Sequence, residues 1–274
     1  MSRFKNTWSL MKSSLRVLRQ EKKLLIFPVL SGLASLIVII SFITPVWLTG
    51  QFEALHTYFE ESTAGALSVV FLFYFVNYFF ILFFNSAAVV SAIHVMKGGN
   101  PSLTKAMKLV WSRKSALFGW TFIAASVGLL LNTLENQSDK FGKILTGFLG
   151  LSWTVISFLV LPVLIIEKKG PIESLKESVK MLKDSWGEQL IGHFSFGLVF
   201  FFLALGVSIV VFPLFLLGPV FVVIGIVLAF ISLIMLSILQ WILQSIFMGA
   251  VYIFVREKSL PSGFSEYQID CAMK

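Results

Sequence analysis

Long apolar runs separated by short polar ones set the pattern of this chain. Six stretches contain no Asp, Glu, Lys or Arg: residues 24–48, 64–95, 116–134, 144–166, 190–217 and 219–255. A helix needs about 20 apolar residues to cross a hydrocarbon core of about 30 Å, so each stretch predicts a membrane span. The sixth far exceeds that length. It reads as one long or bent helix whose end, around residues 240–255, projects toward the headgroups, because Gly225 alone is a weak turn signal. Barrel strands would alternate apolar and polar positions. The runs from Val69 to Phe75 and from Phe221 to Ile224 are apolar on every face. Helices are predicted, since each satisfies its own backbone in lipid. The first apolar run is too long for the core of a cleavable signal, about 7–15 residues, and is expected to remain as a span.

The polar segments carry a second pattern. In residues 1–23, Phe4, Trp8, Met11, Leu15 and Leu18 recur at helical spacing, with Lys5, Lys12, Arg16 and Arg19 gathered opposite. Before the third span Pro101 opens a shorter stripe of Leu103, Met107, Val110 and Trp111, beside Lys105 and Lys108. Before the fifth, Gly170-Pro171 stops one element and starts another, and Ile172, Leu175, Val179, Leu182 and Trp186 form the stripe. An apolar stripe with a basic face predicts a helix lying in the membrane interface. Ser9-Leu10, Ser102-Leu103 and Ser174-Leu175 also align, each three places before a small residue and each ahead of two spans. Three copies of one unit, an interfacial helix plus a hairpin, would explain this; so would convergence of interfacial helices on similar patterns. The fold class is therefore all-α: a polytopic membrane protein of six spans and three interfacial helices, one membrane domain over 1–274 ending in a polar tail at 256–274.

Composition agrees. Of 274 residues, 57% are hydrophobic and 13% charged, against about 25% charged in soluble domains, and the mean hydropathy is +0.89. Too little polar surface exists for a soluble enzyme. The net charge of +8 would suggest nucleic acid were it not so unevenly placed. Assigned by segment, 20 Lys and Arg fall on one side of the membrane and 2 on the other. The positive-inside rule puts both termini in the cytoplasm, and the charge is expected to meet anionic headgroups rather than nucleic acid.

Candidate chemistry is sparse. No span holds an ionised residue, which argues against a proton- or ion-coupled carrier. Asn77 and Asn85 in the second span, and Gln240 and Gln244 in the sixth, are the polar candidates, either lining a path or joining helices. His56, His94 and His193 are scattered without carboxylates at ligand spacing, so neither a metal nor another cofactor is expected. Cys271 alone makes no disulfide. The aromatic run from Phe71 to Phe80 reads as packed, lipid-facing bulk, with a groove for acyl chains as its alternative. Ala87/Ser91, Ala88/Ala92 and Ala124/Gly128 form small-residue faces, which would serve a homo-oligomer and intramolecular packing equally well.

Phe4, Trp8, Leu10, Lys12, Ser14 and Leu18, followed by the run from Lys23 to Gly32, resemble the opening of an uncharacterised family of bacterial six-helix membrane proteins. Ser174 to Ser178 and Trp186 distantly resemble the pre-span helix of the membrane domain attached to some glycerophosphodiester phosphodiesterases. The first resemblance implies six helices in an inner membrane and no active residues. The second brings no catalytic domain, hence no activity. The expected function is a non-enzymatic lipid-interacting or scaffold protein, with Lys5, Lys12, Arg16, Arg19, Lys105 and Lys108 on anionic lipid. A channel or permease for a neutral or lipidic substrate is the alternative. A tag fused after Lys274 should resist added protease in intact cells and be cleaved once the membrane is opened; cleavage from outside would invert the topology.

Overall fold

The computed structural model describes residues 3–50, 63–137, 140–186 and 196–264. Of these, 89% are helical and none is in a strand. The helices are α1 (Arg3–Gln20), α2 (Ile26–Thr49), α3 (Thr63–Met96), α4 (Leu103–Ser112), α5 (Lys114–Gln137), α6 (Lys140–Ile156), α7 (Val160–Ile166), α8 (Pro171–Trp186), α9 (Phe196–Val211) and α10 (Pro219–Glu257). Six helical segments are long and apolar enough to cross a membrane, the mark of a multi-pass membrane protein. The sixth is unbroken: 39 residues at 1.5 Å rise make α10 about 58 Å long, roughly twice the hydrocarbon thickness.

The chain gathers into two compact units. The first contains residues 1–28, 92–101 and 185–274, and so α1, α9 and α10. The second contains residues 29–91 and 102–184, with most of α2 and α3 and all of α4 to α7.

In the first unit α10 changes character along its length. Val220, Phe230 and Met235 are exposed, whereas from Ile242 to Ile253 almost every side chain is buried. There α1 packs on it. The inward face of α1 is Leu10, Ser13, Ser14 and Val17, with Met11 and Leu18 beside them. This differs from the apolar stripe read in the sequence: Trp8 is exposed and Leu15 half-buried. Hydropathy does not flag serine, yet Ser13 and Ser14 are fully buried. The segment after α10 then crosses α1. Arg16 Nη1 donates to the Gly263 carbonyl at 3.2 Å, Gly263 adopts a φ of +91° beside Val17, and Ser262 N donates to Met96 O at 3.3 Å. Gly225, weighed above as a turn, is instead a contact: a Cβ there would meet Phe215 at 3.2 Å and Val211 at 3.4 Å. The reversal falls at Gly218, whose φ of +121° suits glycine.

In the second unit the fourth span is interrupted. The sequence read 144–166 as one run, but α6 ends at Ile156 and α7 begins at Val160. Pro162 explains the break, since its ring crowds the carbonyl four residues back, Phe158, and it has no N–H to give. The break is stitched from α8. Ser178 Oγ donates to Ile156 O at 2.7 Å and accepts from Leu159 N at 3.1 Å, with Ser178 fully buried. Arg113 does similar work at the next corner, donating from Nη2 to the carbonyls of Lys168 and Lys169 at 2.6 and 2.9 Å. Lys169 bridges Glu177 at 2.9 Å and Glu167 at 3.0 Å, and these carboxylates, Glu177 foremost, hold its ammonium above the usual lysine range.

Pro101 does not open α4. The helix starts at Leu103, and Ser102 is its N-cap, accepting from Lys105 N at 3.4 Å, the role for which short hydroxyl side chains are suited. The aligned serines thus hold different places: Ser9 is inside α1, Ser102 caps α4 and Ser174 lies in the first turns of α8. Removing the Ser178 hydroxyl (Ser178→Ala) should lower stability by about 1–3 kcal/mol, because two buried backbone groups lose their partner. Thermal unfolding in detergent would read this, and an unchanged midpoint would contradict the stitched break.

Candidate functional site

The residues predicted to meet headgroups do not share one environment. On α1, Lys12, Arg16 and Arg19 follow at spacings of four and three, which places them on one helical face, and all three are exposed. Lys5 lies on the same helix, its side chain outside the described residues. Lys105 and Lys108 are exposed on α4, in the second unit.

The α1 cations border a cleft of about 510 Å³ inside the first unit. Its walls come from α1, the first turns of α9 and the middle of α10. Met11, Leu15, Phe200, Leu203 and Leu243 supply most of the lining, which is almost wholly apolar, and Lys12, Arg16 and Arg19 supply its charge. Lys12 Nζ stands 5.6 Å from the centre of the Trp8 ring, close enough for a cation–π attraction. Among the described residues no ion pair engages Lys12, Arg16 or Arg19. Of the described carboxylates of this unit, Glu21 accepts from Lys23 N at 3.2 Å and Glu257 pairs with Lys97.

The neutral candidates fall in different units. Asn77, in the second, accepts at Oδ1 from Ser35 Oγ at 2.8 Å, joining α3 to α2. Asn85 is half-buried on α3. Gln240 and Gln244 are half-buried on α10 in the first unit, each next in sequence to a leucine of the cleft wall, Leu239 and Leu243.

The aromatic run of α3 pairs edge to face: Phe75 with Phe118 at 4.6 Å, Phe71 with Phe122 at 5.6 Å and Phe83 with Trp111 at 6.1 Å. Such pairs contribute beyond their buried area, and here they join α3 to α4 and α5. Gly98-Gly99 ends α3 in a Schellman motif, with Gly98 N on Val95 O and Gly99 N on His94 O. A Cβ on Gly99 would strike the His94 imidazole at 2.5 Å. His56, His193 and Cys271 lie outside the described residues. Among those described, no three His, Cys, Asp or Glu gather as metal ligands.

Two structural groups escaped the sequence reading. Arg113 was one topological charge among many, and Ser178 the small residue at the end of one of three aligned segments. A polar side chain on a helix facing a proline-interrupted span is the signal that would have singled out Ser178.

A family model, described as a family of unknown function, matches residues 64–263. No curated protein matches the chain, and no solved structure matches it. Ser35→Ala and Asn77→Leu should each cost about 0.6 kcal/mol, up to about 2, and the double variant should cost less than their sum. A thermal-unfolding cycle measures this, and strict additivity would break the assigned bond.

Proposed function

We propose that this chain, which belongs to the DUF6159 family of unknown function, is a non-enzymatic membrane protein that engages anionic lipid through basic helices at the cytoplasmic face of an inner membrane. The observation that carries this reading is the set of exposed cations on α1, Lys12, Arg16 and Arg19, which no ion pair engages among the described residues. Lys5, Lys105 and Lys108 add to the same attraction. Each such charge near an anionic surface is worth about 1 kcal/mol. The absence of ionised residues from the six apolar runs favours this reading over a coupled carrier. The distant likeness of Ser174 to Ser178 to a phosphodiesterase's membrane domain belongs to the same reading, as a helix lying before a span. Two cytoplasmic termini and lipids as partners complete it.

The test compares the full chain with a variant carrying Lys5→Gln, Lys12→Gln, Arg16→Gln and Arg19→Gln. Thermal stabilisation by phosphatidylglycerol, relative to phosphatidylcholine, should be strong in the first and weakened by about 1 kcal/mol per charge in the second. Equal lipid preference in both would end the proposal.

A further inference from the structure

We propose that the cleft of the first unit is a site for one anionic bilayer lipid, with its headgroup on Lys12, Arg16 and Arg19 and one acyl chain against Phe200, Leu203 and Leu243. This rests on the reading above and goes further: general attraction to a charged surface needs no cleft, whereas this site requires a chain as well as a charge.

Three observations converge on it. Among the described residues no ion pair engages these three cations, which leaves them open to an external anion. The donors are also open: Arg16 gives one Nη1 bond to Gly263, leaving other guanidinium N–H groups of its five, and Lys12 keeps its three N–H groups above Trp8. The floor, by contrast, offers almost nothing polar. A free phosphate or an acidic peptide would satisfy the rim and leave that floor bare. An amphiphile satisfies both.

The opening favours a lipid from the bilayer. Leu203 is 40% exposed, and its neighbours Phe201 and Phe202, with Met235 on α10, are exposed too. They stand on spans whose outward faces meet hydrocarbon, so an acyl chain enters sideways without crossing water. The volume of about 510 Å³ falls within the range of small-ligand sites, about 300–1,000 Å³. Trp8, 45% exposed beside the cations, supplies the amphipathic ring that interfacial sites use to fix headgroup level.

The experiment uses the full chain in detergent, titrated with palmitoyl-oleoyl phosphatidylglycerol and followed by native mass spectrometry. One lipid should be retained per chain ahead of any others. Filling the cleft without touching a charge, by Leu203→Trp or separately Leu239→Trp, should weaken retention about tenfold. Thermal preference for phosphatidylglycerol over phosphatidylcholine should persist in these variants. Changing Lys12, Arg16 and Arg19 to Gln should lose both. In the unaltered chain, where no folding defect intervenes, phosphatidylglycerol with six-carbon chains should bind at least about tenfold more weakly. Full retention in the Trp variants, equal affinity for the short-chain lipid, or displacement by equimolar inorganic phosphate would each overturn the cleft while leaving the broader lipid reading intact. Loss of preference in no variant at all would overturn both.

Discussion

A backbone amide or carbonyl in hydrocarbon has no water to turn to, and most of this structure follows from that. The apolar runs become helices because a helix answers its own backbone groups. The exceptions are more instructive. Pro162 forces a break between α6 and α7, and the freed groups of Ile156 and Leu159 are answered by Ser178. At the end of α3, Gly98 lets the chain turn so that its last carbonyls find N–H partners. Beyond α7, the carbonyls of Lys168 and Lys169 are met by Arg113. Ser178 and Arg113 are placed where the backbone would otherwise be unpaired.

This division explains what could be read from the residues alone. Spans are legible because burial in lipid acts on every residue of a run, and six apolar runs become six span-like helices. The long sixth run as one helix was legible for the same reason, no breaker interrupting it. Ser178 and Arg113 were not, because their roles depend on which distant backbone group they face. The docking face of α1 was also hidden. The apolar stripe was read as facing the membrane interface, whereas Met11 and Leu18 of it are buried together with Leu10, Ser13, Ser14 and Val17. Of the neutral amides, Asn77 found a partner in Ser35, a pairing no spacing along the chain encodes.

Charge needs the same separation. The positive-inside count treats every Lys and Arg as equal, yet they divide by what surrounds them. Lys97 and Lys169 face Glu257, Glu167 and Glu177 and tie helix ends together. Exposed pairs of this kind are worth little individually, about 0–1 kcal/mol, so they set geometry more than stability. Lys12, Arg16 and Arg19 have no such counterpart among the described residues. The count of positive charges alone does not foresee that these three border an apolar cleft.

The docking of α1 connects that charge to the fold. Like charges at spacings of three and four repel by about 0.2–0.5 kcal/mol per pair on an isolated helix, a cost that an anion bound between them would offset. α1 packs on α10 and the segment at Gly263 is hydrogen-bonded to Arg16, so the cations are held beside Phe200, Leu203 and Leu243. Ordering long side chains near a ligand site is normally paid at binding; here folding has already fixed the helix that bears them. The packing of α1 on α10 thus also decides where the positive charge is presented.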